Sequence, residues 1–423
     1  MASTTLEIDD TGVRADPKRG AFPMRCRARA TVVFFAIATG AFAGRDARAT
    51  TEASGLDARW GAQAGTGVAS AEGAVSLFYN PARLNAVGRG DLTLGAQLVN
   101  VQQNAPLLGP NQSQSSNEWA PVGFVDGSYR LTDKLVLGAS FQPASGSGGN
   151  YNTPGGALSL TAFAAEASVG ASYKILPRLW LGAQYRVTYT YLTTDVPTQL
   201  PTGASEEAET KLHGFNFAGA AFGLFFAPAD HTGIGLYFRT RTNTTIDGST
   251  SIGGQSYDAS SRATSPDKIA LGASQTFLHD ALRVSIEGSI FTYGALDQAT
   301  VVTVQTPGAP TVTTTVTDLK TIWEGKIGGE YWMLSHRLAV RAGLWLGPEP
   351  NRAGNTSALG MPPGFFVAPS IGVGTQLGAW NIDLGATEQV KHGETVDATV
   401  NGNPGSYERS LLDLQASARW RFE

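Results

Sequence analysis

The stretch Leu282-Arg283-Val284-Ser285-Ile286-Glu287-Gly288-Ser289-Ile290 decides the fold. Successive side chains of a strand point to opposite faces. Leu282, Val284, Ile286 and Ile290 therefore share one side, with Arg283, Ser285, Glu287 and Ser289 opposite. One apolar face and one charged face describe a strand between lipid and a polar lumen. The C-terminal stretch repeats the pattern: Leu412, Leu414, Ala416, Ala418, Trp420 and Phe422 alternate with Asp413, Gln415, Ser417, Arg419 and Arg421. A third apolar face, Leu179, Leu181, Ala183, Tyr185, Val187, Tyr189 and Tyr191, ends in aromatics. Aromatics there fit the girdle where a barrel meets the membrane interface.

Working outward, the spacing predicts about fourteen strands, at 91–102, 117–130, 134–142, 157–175, 178–194, 208–227, 231–247, 262–277, 281–297, 315–333, 336–347, 364–377, 380–397 and 408–422. Their connections alternate strictly in length. Leu131-Thr132-Asp133, Leu176-Pro177, Pro228-Ala229-Asp230, Leu278-His279-Asp280, Leu334-Ser335 and Gly378-Ala379 are tight. Between them lie 103–116, 143–156, 195–207, 248–261, 298–314, 348–363 and 398–407, rich in Gly, Pro, Ser, Thr and Asn. Bacterial barrels have short periplasmic turns, long external loops and an even strand number, whereas nothing forces a soluble sandwich to alternate its loop lengths. The expected fold class is all-β: a transmembrane antiparallel β-barrel of about fourteen strands with an N-terminal plug, or hatch, inside the lumen. The expected division is a leader at 1–49, a hatch at 50–90 and the barrel at 91–423.

Composition agrees. Charged residues are 16% of the chain, against roughly 25% in soluble proteins. Mean hydropathy is only -0.09, because apolar and polar residues cancel in an alternating strand. Residues 1–49 hold 8 Lys/Arg and 5 Asp/Glu, a net of +3, so the remainder of a chain of net -4 carries -7. An acidic mature chain argues against nucleic-acid binding, which calls for a basic stripe. Arg25, Arg27 and Arg29, the apolar run Ala30 to Ala43 and the Ala47-Arg48-Ala49 site read as a secretory signal at 24–49, with Met24 as the start. The only cysteine, Cys26, falls inside it. No run of 18 or more apolar residues offers a membrane-spanning helix.

Several residues stand out as candidates. Phe78-Tyr79-Asn80-Pro81-Ala82 closes a Gly/Ala-rich segment too irregular for a strand. Asn80, Pro81 and Ala82 form a turn and are the expected hatch element. Leu77, Phe78 and Tyr79 are candidates for an apolar pocket. In the third strand, Pro143 removes a ladder donor and Gly146 follows it, while Gly138 precedes it. These three mark a candidate lateral opening. Lys320, Glu324, Lys326 and Glu330 share one strand face, with Arg337 and Arg341 on the next. Such charges should pair with one another or with a plug. His231, His279 and His336 sit at tight turns as solvated residues. Ser335 and His336 are neighbours facing opposite sides, so no nucleophile–base pair emerges. No enzyme, metal site or cofactor is expected.

The segment Ala53-Ser54-Gly55-Leu56, Trp60-Gly61, Gly65-Thr66-Gly67 and Asn80-Pro81-Ala82 resembles the N-terminal hatch of the FadL-type outer-membrane transporters of long-chain fatty acids and aromatic hydrocarbons. Gly170-Ala171-Ser172-Tyr173 with Arg178-Leu179-Trp180-Leu181-Gly182, then Ser265-Pro266-Asp267-Lys268-Ile269-Ala270-Leu271-Gly272, Arg341-Ala342-Gly343 and Trp380-Asn381-Ile382-Asp383-Leu384, extend the resemblance from Thr51 to Phe422. The resemblance implies a fourteen-stranded monomeric barrel in the outer membrane. It implies passive uptake of a hydrophobic ligand, fatty acid or aromatic hydrocarbon, with exit into membrane lipid beside a kinked third strand. A structural or adhesive barrel and a general porin for small polar solutes remain the alternatives.

Overall fold

The computed structural model describes residues 55–85, 88–199, 205–297, 299–306 and 310–422. The leader, Met24, Cys26 and the cleavage site lie outside the described residues.

The barrel opens with β1 (Gly90–Ala105), β2 (Gln114–Arg130), β3 (Leu135–Thr153), β4 (Gly156–Leu176), β5 (Leu179–Gln199) and β6 (Ser205–Ala229). Four staves follow that are each broken in two. These are β7 (Thr232–Arg239) with β8 (Thr242–Ile252), then β9 (Gln255–Ser265) with β10 (Lys268–Phe277), then β11 (Leu282–Phe291) with β12 (Ala299–Val304), then β13 (Thr311–Val316) with β14 (Ile322–Met333). The break between β9 and β10 falls at Pro266, which has no donor for the ladder. β15 (Leu338–Pro348), β16 (Phe365–Leu377), β17 (Trp380–Val396) and β18 (Gly405–Phe422) complete the wall. β1 pairs antiparallel with β18 from Gly90–Phe422 to Asn104–Glu408, and with β2 along its whole length. The sheet therefore closes as a 14-strand antiparallel barrel. Closure joins the first and last strands and so removes the two free edges of the sheet, which is what a lipid-embedded sheet requires.

The alternation seen in the sequence sorts the faces. Ile286 and Ile290, Leu414 and Trp420, and Leu181 and Tyr185 are exposed on the outer face. Ser285, Glu287, Asp413, Arg419, Gln184 and Arg186 are buried inside. Trp380 stacks on Trp420 with ring centroids 6.1 Å apart at the end where the tight turns lie. Both barrel termini, Gly90 and Phe422, are at that end.

Two expectations about strand length are corrected. Segments 143–156, 195–207, 248–261 and 298–314, read as loops, are largely strand. β3 and β4 meet at Thr153–Gly156, and β8 and β9 at Ile252–Gln255. A ladder needs backbone partners but no apolar face, so alternation fades where strands leave the lipid although pairing continues. Pro143 does not end the third strand either. β3 passes it through a bulge, with Ala144 the extra residue between the Pro143–Ala165 and Ser145–Ala164 rungs. A bulge is one of the few places where a sheet accepts proline.

One seam in the wall is different. The β2–β3 ladder runs only from Arg130–Val136 to Val125–Phe141. Beyond Phe141, β3 continues on β4 alone, and β2 continues on β1 alone.

Candidate functional site

Residues 55–85 lie inside the tight-turn half of the barrel. Asp57 caps the helical turn Ala58–Gly61 by accepting the Trp60 N–H at 2.8 Å. A second turn, Ser76–Tyr79, leads into the 3-10 turn Pro81–Asn85. The Tyr79 hydroxyl accepts the Leu56 N–H at 3.0 Å, tying the two ends of the segment together. Leu56, Trp60, Ala71, Val75 and Tyr79 pack with Phe124 of β2 into one core. Fully burying side chains of this kind is worth about 1.5–3 kcal/mol each.

Asn80 joins this segment to the wall. Its Nδ2 donates to the Val68 carbonyl at 2.8 Å and to the Leu224 carbonyl of β6 at 3.1 Å. Its Oδ1 accepts the Ala82 N–H at 3.0 Å. Pro81 then fixes the first dihedral of the following turn. The Ala82 carbonyl accepts the Ser172 hydroxyl of β4 at 2.8 Å.

The wall makes room with glycine. Facing pairs Gly138–Gly170, Gly182–Gly223, Gly235–Gly272, Gly328–Gly343 and Gly372–Gly385 sit on neighbouring strands. Each lies against the inner segment. A methyl group on Gly182 would fall on the Ala82 backbone, and one on Gly223 would fall on the Asn80 amide oxygen. Glycine permits this close backbone approach and little else does.

Charge locks the segment further. Arg59 donates from Nε and Nη2 to the Glu330 carboxylate of β14, both at 2.8 Å. The same carboxylate accepts Arg283 at 2.6 Å and Arg341 at 2.7 Å. Glu72 of the segment accepts Arg283 at 2.8 Å, and Asp91 accepts both Arg419 at 2.7 Å and the Ala74 N–H at 3.1 Å. Burial pushes the Glu72 carboxyl up, but Arg59, Arg283 and Arg419 outweigh it and hold Glu72 well below the usual carboxylate range. At Asp57 burial wins over the opposing pull of Arg59 and Arg341. Burial pushes it up to about 6, with Asp383 adding to the rise and the Trp60 N–H only partly opposing it.

Residues 34–418 match the family described as outer membrane protein transport protein (OMPP1/FadL/TodX). The chain belongs to that family. It is therefore an outer-membrane transport barrel; its tight turns are periplasmic and its long connections external. No curated protein matches the sequence. Among solved structures, a FadL homologue from Pseudomonas aeruginosa is similar at 16% identity with a TM-score of 0.75, covering 89% of this chain and 100% of that one. The Ralstonia pickettii toluene transporter TbuX is similar at 18% identity and TM-score 0.69, over 88% and 99%. The Pseudomonas putida toluene transporter TodX is similar at 16% and 0.67, over 89% and 99%. These likenesses carry the fold.

The positions singled out in the sequence are only partly brought together. Asn80, Pro81 and Ala82 lie against β4, β5 and β6, not against 138–146. Gly138 sits in the paired part of the β2–β3 seam, under Leu77 and Leu84. Pro143 and Gly146 lie beyond its last rung. Leu77 and Tyr79 are core, while Phe78 is half-buried and meets Tyr79 edge-on at 4.9 Å. Of the expected charge row, Glu330 and Arg341 join the network, while Lys326 lies 4.0 Å from Glu324 and over the Trp345 ring at 5.1 Å. Lys320 precedes β14, and Arg337 is exposed in the turn before β15, because the strands start later than the alternation indicated. Arg59, Glu72 and the glycine belt carry no local signal; the excess of 51 glycines was the one available hint.

Proposed function

We propose that this barrel passes hydrophobic molecules, such as long-chain fatty acids or aromatic hydrocarbons, from the external medium into the outer membrane. The observation that supports it most is the unpaired seam between β2 and β3 above Val125–Phe141. Backbone without a ladder partner is tolerated at membrane depth only where protein covers it or a cavity meets it. In this reading Pro143 and Gly146 border a lateral exit. An apolar solute gains about 25 cal/mol for each Å² it keeps from water, so release into lipid is favoured over release into the periplasm. Residues 55–85 serve as the hatch, closing the periplasmic half to water, with Asn80, Pro81 and Ala82 as its seat on the wall. The toluene transporters among the similar structures and the half-buried Phe78 ring are compatible with aromatic cargo. The test is uptake into protein-loaded liposomes of labelled toluene and of a labelled long-chain fatty acid. Faster uptake of either than into bare liposomes is the expected result; identical rates for both would refute the reading.

A further inference from the structure

The tight-turn rim of the barrel is strongly basic on one side only. The strands from β1 to β5 end there in Arg89, Arg130, Lys134, Lys174 and Arg178, and Asp133 is the one carboxylate in the turns between them. The other four tight turns carry Asp230 and Asp280 against Arg337, together with His231, His279 and His336. The five cations form one arc. The Arg130 N–H donates to the Arg89 carbonyl at 2.8 Å, and the Lys174 N–H donates to the Lys134 carbonyl at 2.8 Å, so neighbouring strand ends are tied side by side. The arc runs beneath the β2–β3 seam, whose lowest rung is Arg130–Val136. Arg89, Lys134 and Arg178 are exposed. Arg178 meets Asp230 at 3.0 Å, but both side chains are more than half in solvent, so the pair is weak and leaves Arg178 open to a second anion.

The surroundings indicate what the arc holds. On the lipid side of it the wall is apolar and aromatic, with Tyr129, Leu131, Tyr173, Ile175 and Leu176 exposed. Arg89 Nε donates to the Tyr129 hydroxyl at 3.4 Å, which draws a cation onto that outer surface. Like charges gathered on one arc repel one another, and anions drawn from the surroundings relieve the repulsion. The tight turns of an outer-membrane barrel lie at the headgroups of the periplasmic leaflet. Cations at headgroup level over a hydrocarbon collar match a lipid with its phosphate on the arc and its chains on the collar. We propose that the arc from Arg89 to Arg178 binds anionic phospholipid of the periplasmic leaflet and holds it at the foot of the β2–β3 seam. The proposal stands on the orientation of the barrel and goes beyond the uptake reading, whose failure would leave it intact. A phosphatidylglycerol headgroup carries a net negative charge. The ammonium of phosphatidylethanolamine cancels its phosphate and is repelled by the arc, so the site discriminates between the two.

The experiment reconstitutes the full-length protein in vesicles of equimolar phosphatidylglycerol and phosphatidylethanolamine with matched chains, extracts it mildly and measures the retained lipids by mass spectrometry. The native barrel should retain phosphatidylglycerol over phosphatidylethanolamine by about fivefold. The triple variant Arg89→Gln, Lys134→Gln, Arg178→Gln should fall to parity, and Arg337→Gln, on the other side of the rim, should match the native ratio. Arg130 is left in place because its guanidinium also donates to the Asn85 and Gly88 carbonyls. Raising NaCl from about 0.05 M to about 0.5 M should at least halve the native preference, because exposed charges are screened. That arm carries the test should the triple variant fail to give the compact barrel band on gels. Parity in the native protein, a preference that survives the triple substitution, or one that salt does not touch overturns the site. An equal loss in Arg337→Gln overturns it too, since net charge would then account for the effect. Capture of a hexaglutamate peptide by a native protein that shows lipid parity would assign the arc to an acidic protein partner instead.

Discussion

Replacing Gly223 with alanine tests the seating of the inner segment at a single atom. The new methyl falls on Asn80 Oδ1 and within 3.1 Å of the Ala82 nitrogen. Asn80 is fully buried, so its side chain has to leave the wall. It then gives up its bonds to Val68 (2.8 Å), Leu224 (3.1 Å) and Ala82 (3.0 Å). At about 1 kcal/mol each these amount to about 3 kcal/mol. Residual overpacking adds about 1–3 kcal/mol if Asn80 stays in place instead. The docked state is thus weakened by about 1–3 kcal/mol according to the route, a rise in the undocked population of about fivefold to a hundredfold. Gly288 is the control: it lies on the lipid side of β11, and a methyl there meets nothing within 4 Å. The reporter is Ser70→Cys, buried at 1% exposure, in a Cys26→Ser background that leaves it the only thiol. Labelling by a membrane-impermeant maleimide should speed up strongly in Gly223→Ala and stay unchanged in Gly288→Ala. Equal rates in two folded variants would refute the idea that the glycine belt holds the segment.

Three further outcomes follow from the same contacts. Glu330→Gln leaves Arg59, Arg283 and Arg341 without their shared carboxylate, which should cost about 3–5 kcal/mol and appear as a lower temperature of loss of the compact barrel band on gels; an unchanged temperature would mean water or neighbours replace it. Asp57, in the inner segment rather than in a spanning strand, has its carboxyl raised from 3.8 to about 6. The folded state therefore holds the proton more tightly, so its contribution is fully present below pH 3.8 and is lost as pH rises through 6. That corresponds to about 3 kcal/mol of docking, so Ser70→Cys labelling should accelerate between pH 4 and 6, and Asp57→Asn should flatten the profile. Deleting Ala144 removes the bulge in β3 and should let the β2–β3 ladder extend, lowering solute uptake while the barrel still folds; undiminished uptake would separate the bulge from the exit.

The membrane-crossing parts of the strands were legible because two environments enforce a period of two on them. Leu282–Ile290 and Leu412–Phe422 could be assigned face by face for that reason. The upper parts of β3, β8 and β9 were not legible, since their outer face carries no apolar row there although backbone pairing and inward burial continue. Asn80-Pro81 was legible as a turn, but its neighbour was not. The inner segment has no periodicity of its own, and its path follows the wall glycines, whose facing pairs exist only once strand register is known. The Arg59–Glu330 pair spans 271 residues of sequence, and nothing near either residue announces the other.

The position of the seam relative to residues 55–85 bears on whether that segment has to move for transport. The β2–β3 ladder is intact at Gly138, where Leu77 and Leu84 press on the wall, and ends on the external side of that contact. A molecule descending from the external mouth therefore meets the unpaired seam before it meets the seat of Asn80. A fixed stopper would then be enough for lateral release, with the segment serving to exclude water and to turn the solute toward β3. Locking the segment decides the point. Ala62 lies 3.4 Å from the position a Cβ on Gly385 would take, close to the separation of about 3.5–4.5 Å that a disulfide spans. With Ala62→Cys and Gly385→Cys oxidised in a Cys26→Ser background, hydrophobic uptake should remain at the reduced protein's rate. Uptake that stops on oxidation and returns on reduction would refute the fixed stopper and make undocking of residues 55–85 an obligatory step of transport.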